Sequence, residues 1–156
     1  MIPVYENYEG YQPPPDVRAT VEKLLSNLPQ HYLTDLESVV LTNGACIGRG
    51  KTRRVGGKKY VRRECLGFYH PKWKSQQAWI ELVVDNIVNL RLGPQTASII
   101  ASDSSHAEFG FASTLFHEIG HHLERTIGAP TRQGEAAAEA WKNRLLRSYF
   151  WKSHSS

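Results

Sequence analysis

His117 and His121, in the run His117-Glu118-Ile119-Gly120-His121, constrain the fold more than any other feature of this chain. Four residues apart on an α-helix, their side chains lie one above the other and can grip one metal ion; on a strand the same spacing would not bring them together. The surrounding sequence favours the helix. Ser113 to Thr126 contains no Pro and only Gly120, and Ala112, Leu115, Phe116, Ile119, Leu123 and Ile127 recur at helical spacing. At about 100° per residue these apolar positions occupy one arc, with His117, His121 and Glu124 opposite and Glu118 beside them. A zinc ion held by two imidazoles needs a third protein ligand and an open position for water, with a carboxylate near that water as base, a role that Glu118 can fill. His122 is turned by about 100° from His121 and is expected to be a bystander to the metal face.

A second helix is expected from Glu135 to about Leu146, after the Gly128-Ala129-Pro130-Thr131 loop. Glu135 and Glu139 share a face there, adjoining the side that bears Ala138, Trp141, Leu145 and Tyr149, so both are expected to point toward the protein. Two acids side by side facing a core repel each other and resist desolvation unless a cation lies between them. Glu135 is therefore assigned as third ligand and Glu139 as the acceptor that holds the N–H of a liganding histidine, His117 first among them. The two roles can be exchanged. The alternative is that both acids merely favour the positive end of the helix dipole, with Gly134 as N-cap.

These residues resemble the gluzincin metallopeptidases, zincins in which an HExxH helix is followed by a glutamate helix carrying ExxxD or ExxxE. Thr114-Leu115-Phe116-His117-Glu118-Ile119-Gly120-His121-His122-Leu123 is similar to the longer zincin pattern, and Gly120 and Glu135-x-x-Ala138-Glu139 are similar to gluzincin usage. The resemblance covers residues 112 to about 146. It implies an α+β, zincin-like fold: an N-terminal helix, a small mixed or antiparallel sheet, the active-site helix and the glutamate helix. It also implies a Zn²⁺-dependent peptidase, endopeptidase rather than exopeptidase, with His117, His121 and Glu135 on the metal, Glu118 as general base and a peptide or protein as substrate. Only 13 residues separate His121 from Glu135, which is short for the family and keeps Glu139 open as the ligand. A metzincin would show Gly at 124 and His at 127, where this chain has Glu124 and Ile127.

At 156 residues and 40% hydrophobic, the chain suffices for one domain with a buried core. The expected organisation is a Pro/Tyr-rich extended arm over 1–15, a domain over 16–150 and a tail over 151–156. In the arm, Tyr5, Tyr8 and Tyr11 fall on one side of a polyproline helix; it can lie over the body or occupy the substrate cleft as a latch. No basic region precedes an apolar run at the start, and no stretch reaches the length of a membrane span, so a cytoplasmic protein without a membrane partner is expected. Cys46 and Cys65 lack metal or disulfide-scaffold spacing and are expected to be reduced, partly buried thiols.

Asp16 is placed as N-cap of a helix carrying Val17, Val21, Leu24, Leu25 and Leu28. Val39–Thr42, about Lys58–Tyr69 and Trp79–Val84 read as strands, the last running into a stretch to Leu90 that also fits a helix, and 96–101 reads as one more. Asp103-Ser104-Ser105 suits a loop before the histidine helix. Arg49 to Arg63 carries eight basic residues, Arg49, Lys51, Arg53, Arg54, Lys58, Lys59, Arg62 and Arg63, about Gly56-Gly57. A solvated hairpin whose charges keep an edge soluble is the commoner explanation for such a segment. The alternative is a basic nucleic-acid-binding module with structural zinc or none, or an enzyme that cuts a protein partner on a nucleic-acid scaffold. Gly48-Arg49-Gly50-Lys51-Thr52 is no Walker loop, because its first glycine would fall on Ala45.

Overall fold

The computed structural model describes residues 1–47, 52–55, 58–61, 65–90, 103–127 and 134–154. The strand expected at 96–101, the Gly56-Gly57 turn, the loop 128–131 and Arg49, Lys51, Arg62 and Arg63 lie outside them.

Among the described residues the chain is α+β, with four α-helices and a four-stranded mixed sheet. The order along the chain is β1 (Val4–Glu6), α1 (Val17–Ser26), β2 (Leu36–Thr42), β3 (Thr52–Val55), β4 (Lys58–Val61), β5 (Gly67–His70), β6 (Ala78–Val83), α2 (Val84–Val88), α3 (Asp103–Thr126) and α4 (Gly134–His154). Strand order in the sheet is β1-β2-β6-β5: β1 and β6 run parallel to β2, and β5 runs antiparallel to β6 along one edge. Strands β3 and β4 form a separate antiparallel ribbon.

Alternation along the strands separates the two faces of the sheet. Val4, Val39, Leu41, Ala78, Ile80 and Leu82 are buried against α1 and α3, joined by Phe111, Ala112, Leu115, Phe116, Ile119 and Leu123 of α3. Burying each of the larger aliphatic or aromatic side chains contributes about 1.5–3 kcal/mol, so this stripe fixes α3 to the sheet. Ile127, expected to extend it, lies in the turn after α3 and is exposed. A smaller cluster of Ile47, Phe68 and Val83 covers part of the opposite face.

Several sequence expectations are corrected. The single strand over 58–69 is two, β4 and β5, belonging to different sheets. Asp103-Ser104-Ser105 is the first turn of α3 rather than a loop, since residues that favour caps also start helices. Asp16 sits at the cap position of α1 but makes no side-chain cap hydrogen bond. Helix α4 runs through His154, into the stretch read as a tail. The Trp79–Leu90 stretch is part strand and part helix, β6 continuing directly into α2.

The N-terminal arm is a working part of the sheet. Strand β1 pairs with β2, Val4 is buried, and the Asn43 amide accepts from Glu9 N–H and donates to Glu9 C=O, each at 2.8 Å. Strand β1 and strand β5 form opposite edges of the sheet. Cys46 and Cys65 are free thiols, both half-buried, and no helix among the described residues is long and apolar enough to cross a membrane.

Candidate metal centre

Helices α3 and α4 meet backbone to backbone. A Cβ on Gly120 would lie 2.6 Å from the Ala138 carbonyl oxygen and 2.8 Å from its Cα, so only glycine permits this approach. Ala138 follows Glu135 by three residues and precedes Glu139 by one, so the contact carries both carboxylates to the histidine face of α3.

The apolar arc of α3 faces the sheet, which turns His117 and His121 toward α4. His117 Nε2 lies 3.2 Å from Glu135 Oε2, and His121 Nε2 lies 3.2 Å from Glu135 Oε1. One ligand atom from each of these residues falls within 4.8 Å of the others. Two imidazole nitrogens and a carboxylate this close together are a donor set that could hold one metal ion. Behind it, Glu139 Oε2 lies 3.0 Å from His117 Nδ1 and Glu139 Oε1 accepts from Lys142 Nζ. Burial alone would raise the Glu139 carboxyl; the hydrogen bonds and charges of Lys142 and His117 outweigh it and hold the group below its ordinary value. An ionised Glu139 accepts the Nδ1–H of His117, which leaves Nε2 with a lone pair for a metal. Glu135 and Glu139 both point at the histidines, yet remain about half open to solvent rather than facing the core.

Glu118 is buried between α3 and the first residue of β5. A Cβ on Gly67 would lie 2.9 Å from Thr114 Cγ2, 3.0 Å from Glu81 C=O and 3.3 Å from Glu118 Cγ, so the missing side chain lets the strand edge come down onto this carboxylate. Of the residues singled out from the sequence, His117, His121, Glu135 and Glu139 gather between α3 and α4, while Glu118 lies buried on α3 against Gly67 at the start of β5.

Three neighbours, two of them read from the sequence only as an off-face bystander, His122, and a position on the histidine side, Glu124, gain partners in the structure. His122 is off the metal face but fully buried: Nε2 lies 2.8 Å from Thr34 C=O and Nδ1 lies 3.0 Å from the Tyr69 hydroxyl. A carbonyl only accepts, so Nε2 carries the proton and the neutral ring accepts from Tyr69. Tyr69 in turn stacks beside His121, with centroids 6.4 Å apart and planes 14° from parallel. The third is Glu124, buried on the same side of α3, whose Oε2 would lie 3.3 Å from a Cβ on Gly134 at the start of α4. A carboxylate there complements the positive end of that helix. Only Glu124 had a sequence signal, its place on the histidine side of the wheel.

Comparison with protein-family models, curated proteins and solved structures yields no match at any level of the chain.

Proposed function

We propose that this chain is a zinc-dependent metallopeptidase of zincin-like architecture, with His117, His121 and Glu135 holding the metal. The observation that carries the reading is the pair of imidazole Nε2 atoms, each 3.2 Å from a different oxygen of one carboxylate, with a second carboxylate on the far nitrogen of His117. An exposed ion pair needs none of this convergence. A zinc ion held there supplies Lewis acidity and lowers the pKa of bound water. Glu118, next to His117 in the chain and buried on α3, accepts the proton of the attacking water at its carboxylate and delivers it to the leaving amine. Strand β5 is the sheet edge nearest this carboxylate, and an extended peptide can add to that edge by backbone pairing. That favours an endopeptidase acting on unfolded segments. A cytoplasmic setting belongs to the proposal and is supported by the two free thiols.

The test is metal analysis of the purified chain and its variants beside cleavage of a fluorogenic unstructured protein. One zinc per chain is expected in the wild type and in Glu118→Gln, and none in His117→Ala or Glu135→Ala. Glu118→Gln should cut about 10²–10⁴-fold more slowly with its metal in place. Zinc kept by Glu135→Ala but lost by Glu139→Ala would transfer the ligand role to Glu139; zinc-free wild-type protein would end the reading.

A further inference from the structure

A cavity beside the end of β5 contains none of the three candidate metal ligands, yet it adjoins them. Tyr69, whose ring stacks beside His121, and His122, the next residue of α3, line a space of about 250 Å³ together with Asp35, Lys72, Gln77 and Arg125. His122 is fully buried and Tyr69 half-buried, so these two form its inner wall. Asp35, Lys72, Gln77 and Arg125 are exposed and form its rim.

The polar protons of the inner wall are committed within the protein. His122 Nε2–H donates to the Thr34 carbonyl, and the Tyr69 hydroxyl donates to His122 Nδ1. The hydroxyl of Thr126, also in the lining, donates to the His122 carbonyl at 2.9 Å. A ligand group reaching in therefore finds its proton donors at the rim, on Arg125, Lys72 and Gln77. Two cations stand there against one carboxylate, Asp35, so a neutral wall is ringed by net positive charge. That combination suits an anion rich in acceptors, and a carboxylate can take two parallel hydrogen bonds from one guanidinium. Placement ties the cavity to the cluster. Gly67, against Glu118, and Tyr69 are alternate residues of β5, so they share the face turned to α3 and lie roughly 7 Å apart. A peptide added to the β5 edge past Glu118 would bring a side chain to the cavity about two residues further on.

We propose that this cavity selects the substrate by taking an Asp or Glu side chain about two residues from the bond to be cut, with Arg125 as its main partner and Lys72 beside it. The inference rests on the peptidase reading for the bond that is cut, but not for the binding itself.

The test separates binding from cleavage. Fluorescence anisotropy is read with zinc and the full-length Glu118→Gln protein, using short labelled peptides blocked at both ends and identical but for one position, occupied in turn by Glu, Gln or Lys. As that position is moved along the peptide, Glu should be held about three- to tenfold more tightly than Gln at one register, and Lys more weakly than either. Arg125→Ala combined with Lys72→Ala should erase the difference between Glu and Gln. Arg125→Glu should invert the order to favour Lys, a gain that a misfolded variant cannot give. Cleavage by the wild type should show the same preference in KM. Glu, Gln and Lys bound alike at every register, or a preference for Glu kept by Arg125→Glu, overturns the proposal. Acidic-peptide binding that Arg125→Glu inverts, with no peptide cut by the wild type, upholds the cavity and ends the peptidase reading instead.

Discussion

At the scale of single residues, His122 has the clearest consequence. Burial lowers its pKa below the ordinary imidazole value, the bond to the Thr34 carbonyl and the charge of Asp35 opposing only in part. The unfolded chain therefore binds a proton at this histidine before the folded chain does. Stability is full above the unfolded value of about 6.5 and falls as pH drops below it toward the folded value. Chemical denaturation of the metal-free protein between roughly pH 7 and pH 5 should show this loss, and a smaller loss in His122→Gln, which has no imidazole to charge. Identical pH slopes in the two proteins would show that His122 carries no such linkage. The sequence could not announce this role, because a histidine one step past the metal face looks the same whether it meets water or a carbonyl 88 residues earlier in the chain.

At the scale of elements, the packing of α3 on α4 decides whether a metal site exists. A Cβ at position 120 would meet the backbone oxygen and Cα of Ala138, neither of which can swing away as a side-chain tip can. Gly120→Ala must therefore part the helices by several tenths of an ångström, more than the roughly 0.2 Å tolerance of a metal–ligand distance. The expected result is a zinc affinity at least about tenfold weaker and a stability loss of about 1–3 kcal/mol by urea denaturation. Adding Ala138→Gly should not restore either, since the clash is with backbone. Both helices were legible in the sequence, α3 from its apolar period and α4 from its alanine-rich start. Their contact point was marked by Gly120, but nothing local says which residue of a second helix will sit against a glycine. The strands were less legible: a run of β-forming residues over 58–69 does not reveal that β4 and β5 belong to different sheets.

At the scale of the whole molecule, a metal held at the proposed centre would tie α4 to α3 through three side chains, which links its binding to global stability. Zinc at about 100 times its dissociation constant should stabilise the fold by about 2.7 kcal/mol, which for a chain of this length raises the melting temperature by about 5–10 °C. Calorimetry with zinc and with a chelator reads this directly, and His117→Ala should abolish the difference while leaving the metal-free transition close to wild type. A zinc shift retained in that variant would place the ion elsewhere. The sequence by itself determined the chemistry on offer, since histidines one helical turn apart, a carboxylate between them and two acids on a following helix depend only on local periodicity. It also determined the charge of the β3–β4 ribbon and the apolar stripe that docks α3. Tertiary structure decided the rest: that Glu135 faces both histidines while Glu139 backs His117, that the arm joins the edge remote from β5, and that Gly67 lowers a strand onto Glu118. Each of these depends on distances between segments far apart in the chain, which are set by how the whole core packs and not by any repeat within one element.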